Sequence, residues 1–167
     1  MNDYSTLVDP VEFGKFGWRT GEVNMNILVA LDASESSDRA IEFIQQRPWL
    51  DKDHFLIISV VEADKADVSM ASALTKTSEA FFGDCEKILT KARDSVRAAL
   101  PRNKVETRIL TGPVKDTIID CARDFAADLI VMGSQGRRGI NRFIIGSVAE
   151  AVLRGAPCSV QIIRKKE

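Results

Sequence analysis

The chain is poor in the features that would assign it quickly. Its three cysteines, Cys85, Cys121 and Cys158, are odd in number and far apart. They make neither a metal-ligand spacing nor a disulfide framework, and read as small core residues in a reducing cytoplasm. The single histidine, His54, lies before an apolar run and is expected at the surface. No apolar run approaches the roughly 18 residues needed to cross a membrane, and the first twenty residues lack the continuous apolar segment of a secretory signal. Basic residues number 23 against 24 acidic ones. Without a basic excess, general nucleic-acid binding is excluded. Two familiar phosphate loops are also missing. No Gly-Lys-Ser/Thr follows the first predicted strand, and the first strand-to-helix turn, Leu31-Asp-Ala-Ser-Glu-Ser, contains no glycine.

What is present suits one core. Apolar residues make up 45% of 167, the length of a single domain. Residues 1–23 form an N-terminal extension, with Tyr4, Phe13, Phe16 and Trp18 among glycines and no sustained period. It is expected to be a strap laid on the domain or a neighbouring subunit, with a partner-docking arm as the alternative. Residues 24–167 form the domain. Asn24 to Leu31 reads as a first core strand, after which Ser34 or Ser36 can cap a helix carrying Ala40, Phe43 and Ile44. Phe55 to Val61 is a second buried strand. Glu62 to about Thr77 is a long polar connection, expected to be a flap or an extra helical turn.

Apolar residues from Phe81 to Leu100 then recur every three or four positions, which predicts an amphipathic helix ended by Pro101. Val105, Thr107 and Ile109 alternate with charged residues, as in a strand near a sheet edge. A helix with Ile118, Ala122 and Phe125 inward follows Thr111-Gly-Pro. A short helix from Ser147 to about Arg154 and a strand from Cys158 to Ile163 close the pattern. Alternating strands and helices predict an α/β fold, a parallel sheet with helices on both faces. In such folds ligands sit beyond the carboxyl ends of the strands, where the strand order reverses.

The organising stretch is Ala127 to Ala149. Leu129 to Met132 fits a strand buried on both faces, and Gly133 breaks the run. Two residues separate Gly133 from Gly136, and nine separate Gly136 from Gly146-Ser147. Strand, glycine loop and helix start together build an anion site. Glycine lets backbone N–H groups approach a ligand, and a helix start leaves free donors with partial positive charge. The bland alternative is a set of ordinary turn glycines. Arg137, Arg138 and Arg142 either solvate this loop or meet phosphate.

The chain resembles the universal stress protein family. The segments that carry the likeness are I-L-V-A-L-D-A-S-E-S-S near the start and A-D-L-I-V-M-G-S-Q-G-R-R-G…I-G-S-V-A-E-A-V-L-R-G-A-P-C-S-V near the end. It covers about Asn24 to Arg164. The resemblance implies a five-stranded parallel sheet, strand order 3-2-1-4-5, of the Rossmann-like, adenine nucleotide alpha hydrolase-like kind. It also implies a homodimer, through the last strand, and ATP binding, because the full glycine spacing is kept. Carried over by position, Asp32 and the backbone of Ala30 and Leu31 would lie against the adenosine. Val60 would contact adenine, and Met132 and Gly133 would sit under the ribose and α-phosphate. Gly136, Gly146, Ser147 and Val148 would hold the phosphates, mainly through backbone N–H groups, with the Ser147 hydroxyl adding a bond. Ser59, Gly155 and Ser159 depart from a frequent His, His and Pro of the family, outside the phosphate loop.

The function expected on these grounds is that of a cytoplasmic regulatory switch in the stress response. It would bind ATP, with or without Mg, and act on a regulatory protein partner that the sequence does not name. ADP and AMP satisfy the same inner contacts. The alternatives are a weak ATPase or self-phosphorylating enzyme, in which Asp32 alone could serve a metal ion, and a dimerisation module without nucleotide.

Overall fold

The computed structural model describes residues 24–62, 75–135 and 145–164. Their elements run β1 (Asn26–Ala30), α1 (Glu35–Gln45), β2 (His54–Glu62), α2 (Thr75–Ala99), β3 (Lys104–Gly112), α3 (Val114–Asp124), β4 (Leu129–Gly133), α4 (Ser147–Gly155) and β5 (Ser159–Ile163). The strands form one sheet in the order β3-β2-β1-β4-β5, and every pairing is parallel. The expected fold class and strand order are therefore observed.

Strand alternation divides the core in two. Ile27, Val29, Phe55, Ile57 and Val131 face α1 and α2, meeting Ala40, Ile44, Leu89, Ala92 and Val96. Leu28, Leu56, Ile58, Ile130 and Met132 face α3 and α4, meeting Ile118, Ala122, Ala149 and Val152. The central strands are buried on both faces, which is why they read as unbroken apolar runs. Each such side chain, taken fully from water, contributes about 1.5–3 kcal/mol. β3 lies at the sheet edge, and its mixed burial follows from having one neighbour strand.

The ends of the helices are fixed by specific groups. Ser34 caps α1, its side chain accepting from the Ser37 N–H. α3 ends with the Ala126 N–H on the Arg123 carbonyl and the Ala127 N–H on the Ala122 carbonyl. That bond pair places residue 126 in the left-handed region, normally glycine's. Here Ala126 takes it at φ 49°. The Asn26 side chain donates to the Phe125 and Ala126 carbonyls, tying the start of β1 to the end of α3.

Some expectations need correction. His54 is not a surface residue: it opens β2, half-buried, with its ring 5.0 Å from that of Phe125. Phe125 does pack inward against the α3–α4 core, but as the half-buried C-cap of α3 rather than within the helix. α2 starts at Thr75, inside the span read as a connection, while residues 63–74 lie outside the described residues. Cys85 and Cys121 are buried, whereas Cys158 is only half-buried and precedes β5. The N-terminal extension, residues 1–23, also lies outside the described residues.

Candidate functional site

β1 is the pivot of the sheet. The chain leaves it for β2 on one side, and β4 lies on the other. The crevice beyond the carboxyl ends of β1 and β4 is therefore the place where an open α/β sheet offers a site. Ala30 pairs with Met132 at the top of these strands. Val60 stands two positions beyond Ile58, the partner of Ala30, and so comes level with Asp32. Ala30, Val60, Met132 and Val148 all belong to the α3–α4 face of the sheet, whereas Leu31 turns into the α1–α2 core.

Asp32 is held by the first turn of α1. Its N–H donates to Ser37 Oγ at 2.9 Å. Its Oδ1 accepts the Ser34 N–H at 3.1 Å, the Ser37 hydroxyl at 2.7 Å and the Ser34 hydroxyl. Three donors on one oxygen fix that carboxylate in place. Among the described residues no group of three or more His, Cys, Asp or Glu gathers around a common point that could hold a metal ion.

α4 begins at the other wall. Gly146 is its N-cap, at φ -64° and ψ 153°, and no side chain caps it. A helix leaves its first four N–H groups without intrahelical partners. The first of these, on Gly146, donates to the Ser134 carbonyl at 2.8 Å. Among the described residues no acceptor takes the amides of Ser147, Val148 and Ala149, and these remain for an anion. The Ser147 side chain is exposed, and Ser147 is the first helical residue rather than the cap. Ser134 also gives its own N–H to the Ile163 carbonyl, at 2.8 Å. Its backbone thus joins the end of β5 to the start of α4, and closes the neck of the glycine loop. Gly136 and the three loop arginines lie outside the described residues.

Gly133 has a different surrounding. A Cβ there would run into Ser36 Oγ and would stand 2.7 Å from Ser36 Cβ. Ser36 in turn donates its hydroxyl to the Gln135 carbonyl. Sequence reading weighed Ser36 only as a helix cap. Its contact spans 99 positions, and nothing local in the sequence signals it.

The parallel sheet, with its order reversing at β1 and β4, defines a doubly wound α/β domain. The chain belongs to the universal stress protein family, whose family model matches residues 24–164. It is 33% identical over 146 residues to a putative universal stress protein of Staphylococcus epidermidis, covering 85% of each chain. Among solved structures, the universal stress protein UspA of Lactobacillus plantarum is 27% identical with a TM-score of 0.65, over 86% of this chain and all of that one. A universal stress protein family protein of Arabidopsis thaliana, solved with AMP bound, is 20% identical with a TM-score of 0.56, over 85% and 92% of the two chains. At that identity the likeness is one of fold.

Proposed function

We propose that this protein is a regulatory switch that binds an adenine nucleotide in the crevice between β1 and β4. The observation that carries the reading is the start of α4: amides that no described residue takes, with no side-chain cap, at the switch point of the sheet. The AMP complex of the Arabidopsis relative supports the ligand class. Ala30, Leu31, Asp32 and Val60 take the adenosine side. Met132 and Gly133 underlie the ribose and first phosphate. Gly136, Gly146, Ser147 and Val148 take the phosphate tail. The tail meets the Ser147 and Val148 amides directly. Gly146 contributes by carrying no side chain across their approach, since its own N–H is engaged. The glycine spacing favours ATP, with or without Mg, as the ligand.

Binding biases a surface that a second copy or a regulatory protein reads. Such a switch requires different affinities for the bound and free forms. β5 suits a homodimer contact, because it is an edge strand with Val160, Ile162 and Ile163 only half-buried. Among the described residues no helix is long and apolar enough to cross a membrane, and the cytoplasm is the proposed location.

Calorimetry with ATP, ADP and AMP on the wild type and on Gly146→Val tests the reading. Gly146 lies outside the left-handed region, so valine is conformationally allowed there. The variant should fold and lose at least about tenfold in affinity, or about 1.4 kcal/mol. Equal affinities in the two proteins would reject the site.

A further inference from the structure

We propose that Ser36 is a positioning residue for the crevice, and that it, rather than the ligand, is the reason position 133 is glycine. This inference rests on the adenine-nucleotide reading above. Gly133 is a strand residue, so its backbone conformation does not ask for glycine. Space does. The first turn of α1 stands against its Cα, with Ser36 Oγ, Cβ and carbonyl carbon all in the way of a side chain, the last at 3.0 Å. Interiors at native density do not absorb such an overlap without movement.

Ser36 does more than fill the space. Ser34 performs the capping of α1, which frees Ser36 to reach across the switch point. Its hydroxyl donates to the Gln135 carbonyl, and so fixes the direction in which the chain leaves β4 for the glycine loop. Ser36 Oγ also lies 3.0 Å from Ser34 Oγ, and Ser34 holds Asp32. One helical turn therefore sets both walls of the crevice: the carboxylate after β1 and the peptide after β4. The neck at Ser134 and Gly146 sits immediately beyond.

The pair makes a steric lock that a double-mutant cycle reads. Gly133→Ala should weaken AMP binding by about tenfold or more, an overpacking effect. In a Ser36→Gly background, where Oγ and Cβ are gone, the same alanine should cost about threefold or less. Ser36→Ala keeps the Cβ at 2.7 Å, so its rescue should be intermediate. Alone, Ser36→Ala should weaken AMP binding by up to about tenfold, through the lost hydrogen bond to Gln135.

The same cycle is run on denaturant midpoints of the ligand-free proteins. If wild type binds no AMP, the functional reading falls, and the midpoints alone decide the lock. Graded rescue, glycine above alanine above serine, supports it. An equal cost of Gly133→Ala on all three backgrounds, in affinity and in midpoint, overturns it.

Discussion

The two ends of the sheet differ in how completely the backbone groups beside them are met. At the amino ends of the strands, free peptide groups are met from within. Asp53, fully buried, takes the Met25 N–H at 2.9 Å on one oxygen and the Leu50 N–H at 2.8 Å on the other. Asp128 takes the Asn26 N–H at 2.8 Å. The Asn103 amide donates to the Leu50 and Asp53 carbonyls, at 2.7 and 3.0 Å. At the carboxyl ends, α4 starts without a side-chain cap, and the segments 63–74 and 136–144 depart from there. Buried polar groups left unpaired are expensive. The groups named at the amino end are all paired, whereas the Ser147 and Val148 amides are taken by no described residue; on the proposed reading this divides stability from binding.

That division predicts where substitutions act. The largest effect is expected from Asp53→Ala. It strips two backbone donors of their acceptor in a buried site, and should lower stability by about 3 kcal/mol. Denaturant unfolding measures this, while AMP affinity of the folded variant should stay within about twofold of wild type. A large loss of affinity at full folding would mean that the two ends are not separate.

A smaller and opposite effect is expected at Ala126. Alanine at φ 49° is strained where glycine is not. Ala126→Gly should therefore raise stability by up to about 1 kcal/mol, again without moving affinity. An unchanged or lower midpoint would show that the unfolded chain's extra freedom outweighs the relieved strain.

The smallest effect is a pH slope at the amino end. Burial holds the His54 pKa below its ordinary 6.5, the Lys104 ammonium adds to this, and the Glu106 carboxylate opposes it. The folded protein thus binds this proton more weakly than the unfolded chain. Stability from this site is complete above pH 6.5 and is lost as pH falls through the interval below it. The midpoint should drop slightly between pH 7 and 5, and His54→Gln should flatten that part of the curve. An unchanged slope in the variant would remove His54 from the account.

Much of this contrast was legible in the sequence, and the illegible part has a physical cause. Runs such as Leu129 to Met132 announced strands buried on both faces, and three- and four-residue spacing announced α2, because periodicity is local. Ser34 was one of two candidate caps, and it is the one used. Asp53 and Ser36 were not legible as what they are. Asp53 sits in a short polar turn, and only the return of β1 beside β2 makes it a buried acceptor. Ser36 earns its role from a residue 99 positions away. His54 misled because polar residues before a strand are commonly exposed, whereas Phe125, arriving from the end of α3, covers it. The glycine spacing did not say which amides at the start of α4 are engaged. That depended on the bond between Gly146 and Ser134.

The central claim is that nucleotide is met at the carboxyl ends of β1 and β4, by the first amides of α4. Backbone amide NMR shifts during a titration with AMP, and then with ATP, test it most directly. The account predicts that shifts gather at Asp32, Gly133, Ser147 and Val148, while His54, Asn103 and Ala126 stay still. Shifts centred on the latter group, or none at saturating nucleotide, would contradict it.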